Sequence, residues 1–197
     1  MDAVLHHSPD FIVQCGDFCQ VEGWPAIMPV WNRYPGPKYH VLGNHDMDKC
    51  DKKTIMGLWG MKNPYYSFDE GGFHFIVMHQ PVFLSDFFDE IGNAVEILAI
   101  FDEANFNGSK VAAVFMGHDH DDRYGERNGV YYFLLNSASY VYTYEKAWYY
   151  RDPLFAFITL DPAGRLVLEG RTSTYRAASD AVKARFPTKI SDRELSI

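Results

Sequence analysis

The feature that most constrains this chain is a repeated unit, a short apolar run that stops on Gly, Asp, Asn or His. Phe11 to Cys15 runs into Gly16-Asp17, and Tyr39 to Leu42 into Gly43-Asn44-His45-Asp46. Phe73 to Met78 runs into His79, and Lys110 to Met116 into Gly117-His118-Asp119-His120. Runs this short, rich in β-branched and aromatic residues and bounded by Pro or Gly, read as strands buried on both faces. Helical patterns lie between some of them. Together they imply an α/β fold in layers, whose chemistry sits in loops beyond the strand ends while the sheet holds those loops still.

The remaining punctuation fills in the order of elements. Residues 1–8 read as the last turns of an amphipathic helix, closed by the turn Ser8-Pro9-Asp10. An aromatic, Pro-rich connection passes through Trp24, Pro25, Trp31 and Pro35-Gly36-Pro37. A short helix is expected over 51–60, then a hairpin from Tyr65–Phe68 to Phe73–Met78 around Asp69-Glu70-Gly71-Gly72. Ala94 to Phe101 has the period of a covering helix. Residues 130–136, 154–160 and 165–170 read as strands, the last two joined by Asp161-Pro162-Ala163-Gly164, and residues 176–197 as a polar, helix-prone tail. One domain over residues 1–175 accommodates all but the tail.

Charge narrows the possible partners. A formal net charge of -8 over 197 residues and a pI near 5.4 exclude a broad electrostatic footprint for nucleic acid. An acidic protein that handles phosphate esters needs local positive charge, which bound divalent cations supply where Lys and Arg do not. Cys15, Cys19 and Cys50 form no CxxC pair and read as buried or free thiols. No run is long enough for a membrane span, and the first residues lack the basic start and apolar stretch of a signal peptide. The chain as given therefore reads as soluble, with its compartment and oligomeric state open.

Gly16 lets a metal or phosphate approach the backbone beside Asp17; taken alone, the pair equally describes an ordinary turn carboxylate. Gly43-Asn44-His45-Asp46 is more specific. Asn44 offers a neutral oxygen ligand, and His45 can donate a proton or hydrogen bond to a phosphate oxygen; the competing reading is an Asn turn with a surface His. His118 and His120, at i and i+2, can both face a metal centre if the chain turns after the strand. His40 and His74 fall within strands and read as core or edge residues, and His6 and His7 as an exposed helix end. Asp119, Asp121 and Asp122 read as a solvated loop, with Asp119 able to orient a neighbouring imidazole. The aromatics at Tyr140-Val141-Tyr142-Thr143-Tyr144 and Trp148-Tyr149-Tyr150 read as cover for sheet edges, or as rings on which a base or sugar stacks.

The ordered series Gly-Asp, Gly-Asn-His-Asp, a His after a strand and Gly-His-Asp-His resembles the calcineurin-like metallophosphoesterases, over roughly residues 3 to 170. The resemblance implies a layered α/β/β/α-type sandwich of mixed sheets flanked by helices, with the metal site at strand C-terminal ends. It implies two divalent metals, Mn, Fe or Zn, and a metal-activated water that attacks phosphorus. Carried over by motif, Asp17 bridges the metals; Asn44, His79 and His118 complete one metal's shell, and His120 binds the other. His45 hydrogen-bonds the phosphate or protonates the leaving oxygen, and Asp46 orients His45.

Two departures from the family pattern stand out. The family's opening strand ends in Asp-x-His, which supplies two ligands of the first metal; no Asp-x-His precedes Gly16, so that metal keeps only Asp17 and His120. Asp2 and His6, four apart on a helix, do not replace it. Phe73 to His79 also merges two strands that relatives separate by a long connection. The expectation is an N-terminally incomplete domain, an internal deletion or a gene-model artefact. The leading function is hydrolysis of a small-molecule phosphate mono- or diester. The alternatives are a non-catalytic remnant that binds metal or phosphate, and a structural domain without metal.

Overall fold

The computed structural model describes residues 1–78, 94–108, 111–143 and 146–197. The chain divides into two compact units, Met1–Pro81 and Val82–Ile197. Its described elements are helices and several small sheets of mixed α/β character.

The first unit is built on a parallel pair, β1 (Ile12–Gln14) and β2 (Lys38–His40), in register Ile12↔Lys38 to Gln14↔His40. Alternation along a strand sends successive side chains to opposite faces, and both faces are used here. On one, Phe11 and Tyr39 meet Phe68 and Phe75 of the antiparallel hairpin β3 (Tyr66–Glu70) and β4 (Phe73–Val77); Tyr39 stacks on Phe68 at 3.5 Å. On the other, His40 lies against Trp31, Trp59 and Phe18. The hydroxyl of Tyr66 donates to the His40 carbonyl and accepts from the His40 N–H, both at 3.0 Å, which supplies the backbone bonds that a further strand would otherwise make.

Three helices flank this core. The first, α1 (Asp2–His7), is tied down by the ion pair of Asp2 with Arg33. The stretch expected as a Pro-rich connection instead holds α2 (Trp24–Trp31). Pro25 sits in the first turn, where no N–H bond is lost, and Pro29 costs one bond in a short helix. Packing of Trp31 on Phe18 at 4.7 Å offsets that cost. The third, α3 (Lys52–Trp59), is capped by the Asp51 carboxylate, which accepts from the Thr54 N–H at 2.7 Å, and ends on Gly60 in the left-handed region.

The second unit opens with α4 (Ala94–Phe106), whose Leu98 packs with Val130 and Tyr132. Its first sheet has the order β5 (Ala113–Met116), β7 (Val130–Leu134), β6 (Arg123–Arg127), parallel between the first two and antiparallel between the last two. Asn128-Gly129, both at positive φ, makes the tight turn between β6 and β7. A hairpin of β8 (Tyr140–Thr143) and β9 (Lys146–Tyr149) follows, then β10 (Ala156–Asp161) and β11 (Arg165–Gly170). The tail folds further than a polar helix: α5 (Asp180–Arg185) is followed by β12 (Arg193–Ser196), antiparallel to β11. Phe133, Val141, Tyr150, Leu154, Leu166, Leu168 and Ile190 form the core of this unit.

Candidate metal centre

Asp17 follows β1 and the Gly43–Asp46 loop follows β2, so the parallel pairing of the two strands sets the two loops side by side. Gln14 fastens the strand ends. Its Nε2 donates to the Val41 carbonyl at 2.8 Å, its Oε1 accepts from the Gly16 N–H at 2.6 Å, and Nε2 reaches His40 Nδ1 at 3.3 Å. Past Gly16, at φ 98°, Asp17 itself takes a left-handed backbone at φ 52°. Its Oδ1 then accepts the His45 backbone N–H at 2.8 Å.

Gly43 is demanded by this approach. A Cβ placed there would fall 2.1 Å from Asp17 Oδ1 and 2.3 Å from the Asp17 backbone nitrogen. Asp46, only 1% exposed, is the clamp. Its Oδ2 accepts from the N–H groups of Asp17 at 3.0 Å and Gly43 at 2.8 Å, and its Oδ1 from that of Cys19 at 3.3 Å. Burial pushes the Asp46 carboxyl up to about 6 while these N–H donors pull the other way.

The expected partnership of Asp46 with His45 is corrected by this geometry. The partner of His45 is Asp48, whose Oδ2 lies 2.9 Å from Nδ1. The reason is local. His45–Met47 is a single 3-10 turn, in which residues i and i+3 share a face, so Asp48 lies beside His45 and Asp46 points inward. The hydrogen bond to Asp48 raises the His45 pKa above its ordinary value. Asp48 in turn accepts from Gln20 Nε2 at 3.2 Å. Asp48 was legible as an acid three residues after His45; the buried Gln14, a polar residue closing an apolar run, was the other signal.

His118 and His120 lie in the second unit, in the turn that follows β5. Both have positive φ, 89° and 52°, and His120 meets the Tyr140 ring edge-on at 4.9 Å. The neighbouring acids are engaged locally. Asp121 and Asp119 face Arg123, and Asp122 accepts from the backbone and hydroxyl of Ser191. His79 lies outside the described residues. Among the described residues no three His, Cys, Asp or Glu side chains gather around one point; Asn44 stands outside that set of residue types, and Asp17 and the two histidines belong to different units.

A family model described as calcineurin-like phosphoesterase matches residues 1–122. The chain belongs to that family. Among solved structures it resembles vacuolar protein sorting 29 from Cryptosporidium parvum, at 18% identity and a TM-score of 0.55, over 95% of this chain and 82% of that one. Wild-type Vps29 from Entamoeba histolytica in complex with zinc aligns at 14% identity and a TM-score of 0.51, over 99% and 86%. A predicted phosphoesterase from Streptococcus pneumoniae TIGR4 aligns at 14% identity and a TM-score of 0.50, over 100% and 88%. At these identities the likeness shows the fold. No curated protein sequence matches. The family is one of divalent-metal hydrolases, and no helix among the described residues is long and apolar enough to cross a membrane.

Proposed function

We propose that the chain hydrolyses phosphate mono- or diesters of small molecules with the help of bound divalent metal. The observation that carries this reading is the close seating of Asp17 on the Gly43–Asp46 loop, for which Gly43 leaves the room and Asp46 supplies the clamp. The donor chemistry fits such an ion: a carboxylate from Asp17, an amide oxygen from Asn44 and imidazoles from His79 and His118 are hard to borderline ligands suited to Mn, Fe or Zn. Asp17 and His120 are the ligands proposed for the other ion, the first metal of the family's pair. A bound divalent ion supplies Lewis acidity and lowers the pKa of water. His45, held by Asp48, donates a hydrogen bond to the phosphoryl group or a proton to the leaving oxygen.

The test is turnover of an aryl phosphate and a bis-aryl phosphodiester with added Mn2+ or Zn2+. Asp17→Asn is expected to lower metal-dependent turnover by at least about 100-fold; unchanged activity would sink the assignment of the site.

A second reading, binding of metal or phosphate without turnover, is favoured by one observation. Asp17 and His120 are the only ligands that the motifs supply for the first ion. Metal binding by calorimetry without hydrolysis of either ester would select it.

A further inference from the structure

The exposed face of the β8–β9 hairpin is made of tyrosines, and it begins at His120. The register pairs Tyr140 with Tyr149 and Tyr142 with Ala147, so these four residues share one face. Val141 and Trp148 share the other, which packs into the core of the second unit. Inward-facing Val141 is fully buried, whereas Tyr142 and Tyr149 are 59% and 51% exposed. The Tyr140 ring links the face to His120, lying 4.9 Å from the His120 ring and 5.5 Å from that of Tyr149.

Exposed aromatic side chains that share one sheet face, unlike scattered single ones, mark a place where a ligand can sit. The chemistry of the rings says what fits. Tyrosine presents a flat π-face with a polar tip, suited to stacking a planar ring that is itself polar at its edges. No Lys or Arg shares the four-residue face, so an anionic group of the ligand has no partner on the platform and must reach beyond it.

We infer that Tyr140, Tyr142 and Tyr149 form a platform for the nucleobase of a phosphate ester whose phosphoryl end lies at His120. This inference rests on the proposed role of His120 as a metal ligand. It makes these tyrosines determinants of specificity, in contact with the part of the substrate that does not react.

Two substrates isolate the contribution of the ring. AMP and ribose 5-phosphate share a phosphate and a ribose and differ by the base. With Mn2+, kcat/KM is expected to favour AMP over ribose 5-phosphate by about 10-fold, the scale of one stacked ring. Tyr142→Ala and Tyr149→Ala should each shrink that ratio towards one, and Tyr149→Phe, which keeps the ring, should restore it. A ratio near one in the wild type, or a ratio that survives both alanines, overturns the platform and leaves hydrolysis itself intact. A readout independent of turnover is saturation transfer from the Zn2+-loaded chain to the adenine protons of AMP. If no ester is hydrolysed, adenine transfer that disappears in the double alanine variant still supports the platform. Absence of transfer, as expected of a face that serves another protein, overturns it.

Discussion

At the scale of single residues, the site is governed by what two loops can place side by side. Gly43→Ala sets a methyl group against Asp17 backbone and carboxylate at once, so the Asp17 loop must shift. The variant is expected to fold with about 1–3 kcal/mol lost and to fall at least about 100-fold in metal-dependent turnover. Denaturant unfolding and an ester assay check the two parts separately. His40 contributes a separable part of the pH dependence of the same unit. Burial, with Lys38 adding to it, pushes its pKa down to about 4 from an ordinary 6.5, in keeping with its role as acceptor from Gln14. Between those values the unfolded chain holds the extra proton, so the contribution of His40 is whole above about pH 6.5. It drains away as the pH falls towards 4, by up to about 3 kcal/mol. Asp46, whose pKa is raised, works in the opposite direction, but it does so equally in a His40→Gln variant and cancels in the difference. The stability gap between wild type and His40→Gln should therefore narrow from pH 7 to pH 4.5, and a constant gap would show that His40 titrates normally.

At the scale of elements, strand ends and turn residues were readable because each carries its own conformational demand. Gly16, Gly43 and Asn128-Gly129 sit where only certain backbones pass. The hairpin around Gly71-Gly72 and the helix that ends at Gly60 follow the same logic. What was not readable depended on tertiary packing. α2 contains Pro29, which argues against a helix interior locally, and the Trp31 contacts with Phe18 and His40 offset it. β12 is a short, polar strand whose reason for forming is the waiting edge of β11. Asp46 was legible as a candidate residue but its hydrogen-bond partners were not, because the direction of a side chain within one 3-10 turn is set by burial. The end of β11 gives a test of the same kind. A Cβ on Gly170 would meet the Ile190 carbonyl oxygen at 1.7 Å, so Gly170→Ala should cost about 2–3 kcal/mol. The denaturation midpoint should fall accordingly, and an unchanged midpoint would contradict the packing of Gly170 on Ile190.

At the scale of the whole molecule, the proposed ligands are spread along an acidic chain, from Asp17 and Asn44 to His118 and His120. An ion that binds the folded chain and not the unfolded one stabilises it by mass action, by about 2.7 kcal/mol at a hundredfold excess over its Kd. For a chain of this size that is a rise of roughly 5–10 °C in Tm, expected with Mn2+ or Zn2+, reversed by chelator and absent in Asp17→Asn. A Tm indifferent to every divalent ion would contradict the metal assignment. Three of these residues also sit on strained backbone. Asp17, His118 and His120 all hold left-handed backbone, where glycine or asparagine would rest more comfortably and each strained residue costs on the order of 1 kcal/mol or more. A carboxylate and two imidazoles are thus held at addresses that the backbone alone would assign to glycine.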